Sequence, residues 1–390
     1  MTEAKFGLYL HWPFCAAKCP YCDFNSHVSA SVDEERWQRA YLSEIDRVGA
    51  ETSGRVLRSV YFGGGTPSLM SPALVDAVLR RVRATWPMAN DIEITLEANP
   101  SSVEAARFAG YREAGVNRVS LGVQALNDDD LRRLGRLHDV DQALRAVSVA
   151  MQVFDRVSFD LIYARQHQSL SDWREELSRA LELRPRHLSL YQLTIEDGTA
   201  FGARYSAGKL AGLPNEDLGA DMFELTGAMC RDAGLPAYEI SNHAHPGDEG
   251  RHNMLCWQGH DYAGIGPGAH GRLTLDGRRH ATETELAPSS WLERVETLGS
   301  GENRREVLSV LDVFEERVMM GLRVTEGVPD HLLLDQINYN EINYLVEIGL
   351  IEHDAGRVRA SDRGRPVLNA ILRNLLADQP PESTRSRSSS

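Results

Sequence analysis

The run FGLYLHW (6–12) passes directly into PFCAAKCPYC (13–22). An apolar, aromatic-rich stretch with the makeup of a buried strand thus delivers three thiols, Cys15, Cys19 and Cys22, to the loop that follows it. A tetrahedral structural zinc would need a fourth ligand, which His11 or His27 supplies only at an unusual spacing. Cys19 and Cys22 alone form the CxxC of a dithiol redox pair, a reading that leaves Cys15 without a task and lacks a small βαβ redox domain around it. A four-iron cluster held by three thiolates is the third reading, and its fourth iron stays open to a small molecule. The triplet by itself leaves all three standing.

Outward from this loop, β-rich runs recur as VLRSVYF (56–62), DIEITLE (91–97), RVSLGVQ (118–124), RVSFDLIYA (156–164) and HLSLYQL (187–193). Between them, stretches such as 71–86 and 170–184 carry apolar residues at three- and four-residue spacing, the mark of amphipathic helices. This alternation predicts an α/β fold, a parallel sheet with helices outside, either doubly wound or a complete or partial barrel. Gly63, Gly64 and Gly65 let backbone groups approach a ligand with no Cβ in the way, although such a run read alone is as often a simple turn. Glu97, Gln124 and Asp160 fall at or near the C-terminal ends of predicted strands, where barrel and doubly wound enzymes build their sites. Any one of them serves equally well as a helix cap; three on one rim above a Cys triplet favour a site.

Past residue 240 the alternation breaks into ISNHAHPGDEGRHNMLCWQGHDYAGIGPGAHGR, a Gly/His-rich stretch expected to be loop-built. Residues 1–240 are therefore assigned to the strand-helix core, 241–304 to this loop region, and 305–378 to a small C-terminal unit of three helices with a two-stranded element (IEHD, GRVRAS), winged-helix-like in pattern. The tail 379–390 is too poor in apolar residues to order. Lys and Arg total 42 against 56 Asp and Glu, a net charge of −14, and no basic block interleaves with aromatics, so no nucleic-acid partner is expected. Neither a signal peptide nor a membrane span is visible, and a cytoplasmic protein is expected.

The Cys loop, FGGGTPS (62–68), LEANP (96–100), LGVQ (121–124), LGRLH (134–138), FDLIY (159–163), LTIEDGTAF (193–201), YEISN (238–242) and RHN (251–253) together resemble the radical S-adenosylmethionine (SAM) superfamily. Within it they resemble the oxygen-independent coproporphyrinogen III oxidase group, over nearly the whole chain. The oxidases of that group carry a fourth Cys two positions after the third, and an extension before the first. Here the position holds Phe24 and the first cluster Cys is residue 15, so the resemblance is to the heme-chaperone branch, the HemW proteins.

The resemblance implies a partial (β/α) TIM-like barrel with a winged-helix-like C-terminal domain. It implies a [4Fe–4S] cluster on Cys15, Cys19 and Cys22, with SAM on its open iron. Tyr9 and Tyr21 would line the site, Gly64, Gly65 and Thr66 would hold the methionyl end, and Glu97, Gln124, Arg136 and Asp160 would meet its polar groups. The branch also has an HNxxYW motif associated with heme, which here reads HNMLCW, making His252 the axial candidate and Cys256, where Tyr is usual, a second candidate ligand, since imidazole and thiolate both ligate heme iron. A loop His is more often solvated or hydrogen-bonded, and Trp257 reads equally as core; still, six of the thirteen His lie between 243 and 280. A second departure is Ala164-Arg165-Gln166-His167-Gln168 in place of the usual Gly-Leu-Pro-Gly-Gln. The implied function is heme delivery to acceptor hemoproteins, with an electron donor for the cluster. The alternative is oxidative decarboxylation of coproporphyrinogen III.

Overall fold

The computed structural model describes residues 5–29, 31–334, 337 and 339–377. Its spine is an eleven-stranded sheet. In chain order the strands are β1 (Phe6–Trp12), β2 (Leu57–Gly64), β3 (Met88–Ala98), β4 (Arg118–Gln124), β5 (Arg156–Tyr163), β6 (His187–Gln192), β7 (Asn242–Ala244), β8 (Asp261–Ile265), β9 (His270–Leu275), β10 (Arg278–Thr284) and β11 (Glu302–Val307). Strands β1 to β6 pair with their sequence neighbours in parallel, and β8 adds to the free side of β1, also in parallel. An antiparallel meander, β9 to β11, extends that edge, and the short β7 closes the other, running antiparallel to β6.

Successive side chains of a strand face opposite ways, and here the two faces differ in chemistry. Leu8, Leu10, Val60, Phe62, Ile94, Leu96, Val119, Leu121, Phe159, Leu188 and Leu190 are buried under the outer helices. The opposite face carries Ser59, Glu93, Thr95, Arg118, Ser120, Ser158 and His187, also buried. A polar face survives burial only where the sheet curls so that its groups satisfy one another. Arg156 on β5 does so, pairing with Glu93 on β3 at 2.6 Å. The result is a partial barrel with a polar interior.

The helices outside start where the sequence offers caps. Ser71, with Pro72 in the first turn, opens α1 (Pro72–Thr85), and reciprocal capping boxes open α2 (Val140–Val153) at Asp139/Gln142 and α3 (Leu170–Glu182) at Ser169/Asp172. The predicted helical stretches 71–86 and 170–184, and the six predicted strands, agree with the structure to within a few residues.

Residues 241–304 depart from expectation. They form β7, α4 (Arg251–Trp257), β8 to β10, α5 (Pro288–Leu298) and β11 rather than a loop-built surface. These strands are invisible to pattern because their stability comes from pairing on distant β1, and because β11, ENRREV, is an almost fully exposed edge held by backbone bonds to β10.

The C-terminal unit has its own core, including Val318, Ile342, Val358 and Ile371. Its sheet is three-stranded, not two: Ile351–Asp354 and Arg357–Ala360 form the expected pair, and the two-residue strand Val328–Pro329 joins it. Two residues leave no periodicity to read. The tail 379–390 lies outside the described residues. Among those residues, no helix is long and apolar enough to cross a membrane.

Candidate functional site

The loop after β1 is pinned from several sides. Pro13 O accepts His27 N at 2.7 Å, Phe14 O accepts Thr66 N at 2.8 Å, and Pro20 O accepts Phe201 N at 2.8 Å. Gly65 donates to Trp12 O at 2.7 Å, and a Cβ there would stand 2.8 Å from Phe14 O, so only glycine lets the two segments meet.

Each thiol meets a different polar side chain. Thr66 Oγ1 lies 3.2 Å from Cys15 Sγ, Arg136 Nη1 lies 3.4 Å from Cys19 Sγ, and Ser26 Oγ lies 3.8 Å from Cys22 Sγ. Burial raises the Cys15 and Cys22 thiols above their ordinary range. Among the described residues no three His, Cys, Asp or Glu side chains converge on one ion. The three thiols instead stand around a shared cleft of about 360 Å³ at the C-terminal ends of the strands.

That cleft gathers most of the residues the sequence nominated: the three Cys, Tyr21, Gly65, Thr66, Glu97, Gln124, Arg136 and Asp160. Glu97 accepts from Tyr61 Oη at 2.7 Å and from Gly64 N at 3.2 Å. Asp160 accepts from Ser120 Oγ at 3.3 Å. Burial pushes Glu97 up to about 7 and Asp160 up to about 6, so a cationic ligand arriving here would draw the proton off either carboxyl. Arg136 donates to Asn99 Oδ1 at 2.5 Å and to Gly122 O at 2.8 Å. Two buried polar atoms here have no partner, Gln124 Oε1 and Arg136 Nε. Gln124 also has φ +71°, a left-handed backbone that costs a non-glycine residue energy and marks strain at a site.

Two nominated residues stand one layer below the cleft. Tyr9 turns its hydroxyl to His11 Nδ1 at 3.1 Å and its ring to Tyr61, and Gly64 supports Glu97 from the backbone. Sequence reasoning does not single out Asn99, Ser120, Tyr191 or Glu196, which also line the cleft. Asn99 and Ser120 stand inside or beside motifs that are plain in the sequence, whereas Tyr191 reaches the cleft only through the curl of the sheet.

The candidate heme residues separate. His252 is 6% exposed, bonds through Nδ1 to Ser59 Oγ at 2.9 Å, and stacks 5.1 Å from the Tyr61 ring. Its backbone N–H and that of Arg251 both donate to Glu93, fastening α4 into the barrel floor. Burial and the Ser59 bond set the ring in the barrel floor, and burial lowers its pKa to about 4, which keeps the imidazole neutral. Cys256, one turn on, faces a different cleft with Asn253 and Trp257, and burial pushes its thiol up to about 12.

The loop beyond β5 keeps its turns despite losing two expected glycines. Ala164 and His167 take φ of +59° and +61°. Arg165 braces the loop, donating to Asp130 Oδ2 at 3.0 Å and to Glu176 Oε2 at 2.5 Å, and Gln168 Nε2 adds a bond to Glu176 at 3.2 Å.

Residues 9–180 match the radical SAM superfamily, and residues 308–367 match the HemN C-terminal domain. The chain is 37% identical to the heme chaperone HemW of Escherichia coli K12, over 95% of this chain and 98% of that protein. The chain belongs to the HemW family of radical SAM proteins. The chain is also 39% identical to the mitochondrial radical S-adenosyl methionine domain-containing protein 1 of Bos taurus, over 96% of this chain and 88% of that protein. Among solved structures, coproporphyrinogen III oxidase (HemN) from Escherichia coli superposes with a TM-score of 0.80 at 22% identity, covering 96% of this chain and 90% of that one. The likeness to HemN is one of fold. It agrees with the partial barrel and the C-terminal unit expected from sequence.

Proposed function

We propose that the protein binds heme and hands it to acceptor hemoproteins in the cytosol, with a SAM-ligated [4Fe–4S] cluster in the thiol cleft supporting or gating the transfer and a separate electron donor serving that cluster. The observation that carries this reading is the similarity, along the full length of both chains, to proteins named heme chaperone.

The donor set fits the implied group. Cys15, Cys19 and Cys22 hold the cluster in this reading, and Thr66, Arg136 and Ser26 each direct a hydrogen-bond donor at one sulfur, which tunes a cluster's potential. When bound, the cluster supplies the one-electron chemistry and an open iron for the amino and carboxylate groups of SAM. Arg136 receives the carboxylate through its fork, and its unpartnered Nε is available for the task. Glu97 and Asp160 would accept from the amino N–H and hydroxyl groups, with Gln124 Oε1 a further acceptor. Tyr21, Gly65 and Thr66 shape the methionyl end, with Tyr9 and Gly64 supporting from below. Cys256 is the heme ligand in this reading, because it faces an open cleft and His252 does not.

The test is anaerobic. Protein with a reconstituted cluster receives SAM, reductant and coproporphyrinogen III, and in parallel is titrated with hemin. Hemin binding without decarboxylated porphyrin is the expected result. Formation of protoporphyrinogen would replace the proposal with the oxidase reading.

A further inference from the structure

A second cleft, of about 440 Å³, opens where β6 and α4 of the barrel face the helix α6 (Val310–Gly321) of the C-terminal unit and the turn after it. Ligand clefts of this size gather at domain junctions. Its walls are the half-buried apolar surfaces of Trp257 and Met320, with the Tyr191 ring at one side. Two polar features break this apolar lining. Arg323 donates to Met319 O and, at 3.4 Å, to Asn369 Oδ1, but makes no ion pair among the described residues. Asn242 is 5% exposed, and its Oδ1 has no hydrogen-bond partner. The cleft's own carboxylate, Glu239, accepts from Ser241 N at 2.9 Å and its charge favours the charged form of Arg323 without forming an ion pair with it. A guanidinium without an ion pair, set among an indole, a phenol ring and a thioether, describes a pocket shaped for a flat apolar body with an acidic edge, while Asn242 Oδ1 asks for a donor.

Tyr191 belongs to both clefts. It is the one described residue that lines this cleft and the thiol cleft together. It stands opposite Ile162 in the register of β5 and β6, two residues beyond the pair formed by Asp160 and Ser189. One face of its environment is therefore the SAM carboxylate rim and the other the interdomain cleft.

We propose that the interdomain cleft seats a planar tetrapyrrole carboxylate, with Arg323 receiving the carboxylate and Trp257 and Met320 flanking the ring, and that Tyr191 is the partition through which this ligand and the thiol cleft sense each other. The inference rests on the heme reading, and it names the seat and the coupling residue. Met320 adds a second sulfur beside Cys256, so two soft donors face the same space.

The test uses the full chain with hemin and iron-free protoporphyrin as probes, followed by absorbance and by quenching of tryptophan fluorescence. Both ligands are expected to lose about tenfold or more in affinity in Arg323→Gln, with recovery in Arg323→Lys, because a charge-assisted hydrogen bond is worth that much. Trp257→Phe is expected to keep binding but lose a large share of the quenching. With the cluster reconstituted, hemin is expected to shift SAM affinity several-fold in the wild type and in Tyr191→Phe, and not in Tyr191→Ala. Wild-type hemin binding with Arg323→Gln and Trp257→Phe indistinguishable from it overturns the seat and leaves the heme reading intact. Undiminished coupling in Tyr191→Ala overturns the partition. Failure of the wild type to bind hemin sinks both the heme reading and this inference.

Discussion

Arg136 and Cys19 are 117 positions apart in the chain, and Nη1 of the one lies 3.4 Å from Sγ of the other. The same guanidinium holds Asn99 and the carbonyl of Gly122, so one side chain ties the thiol loop to the ends of β3 and β4. Replacement by Gln keeps some hydrogen bonding but removes the charge. Arg136→Gln is expected to bind iron and sulfide while losing roughly ten- to a hundredfold in SAM affinity, the worth of a charge-assisted pair. The cluster's electron paramagnetic resonance signal, titrated with SAM, reads this directly; an unchanged titration would refute the assignment.

Glu97 makes a pH prediction. Burial raises its carboxyl from 4.5 to about 7, so between those values the folded protein holds a proton that the unfolded chain has released. The contribution of this group is therefore most favourable below pH 4.5 and is lost as pH rises towards 7, by about 3 kcal/mol in all. His138, His243 and His252, each lowered to about 4, act in the opposite direction between pH 4 and 6.5. The informative quantity is the difference between wild type and Glu97→Gln in cluster-free protein. Denaturant midpoints are expected to diverge in favour of the variant from pH 5 to pH 8. Parallel curves would show that the carboxyl titrates normally.

Gly65→Ala tests the close approach of the glycine segment to the thiol loop. Its Cβ would press on backbone atoms of Pro13 and Phe14, which have no rotamer to give. A loss of about 1–3 kcal/mol in unfolding free energy is expected, as for other overpacked sites, together with substoichiometric iron after reconstitution. Full iron loading at unchanged stability would mean that the loop shifts freely.

The loop after β5 makes two opposite predictions. Arg165→Leu leaves the buried Glu176 carboxylate without its guanidinium and is expected to cost about 3–5 kcal/mol. His167→Gly relieves an exposed left-handed residue and is expected to be neutral or to stabilise by up to about 1 kcal/mol. Thermal unfolding of the two variants separates the brace from the strain.

Residues with a short-range signature are legible from the order of amino acids. Cys15, Cys19 and Cys22 share one loop, Gly63 to Gly65 another, and Glu97, Gln124 and Asp160 each lie in the C-terminal half of a strand whose pattern is plain. Parallel strands of one α/β sheet put their C-terminal ends on one rim, so residues placed by that rule had to converge. His252 is different, because a motif states which residue is present and not which way α4 faces. Here Ser59, Glu93 and Tyr61, all distant in sequence, take the imidazole end of that helix inward and leave Cys256 and Trp257 outside.

The strand-helix alternation, the thiol loop and the family are thus written in neighbouring residues, and the order of amino acids suffices for them. Three-dimensional packing alone settles the meander built from 261–307, the burial of His252, the place of Arg323 at a domain junction and the double exposure of Tyr191. Each of these depends on which distant strands pair and how far the sheet curls. That curl is set by packing and polar satisfaction over the whole barrel, a sum that no local window contains.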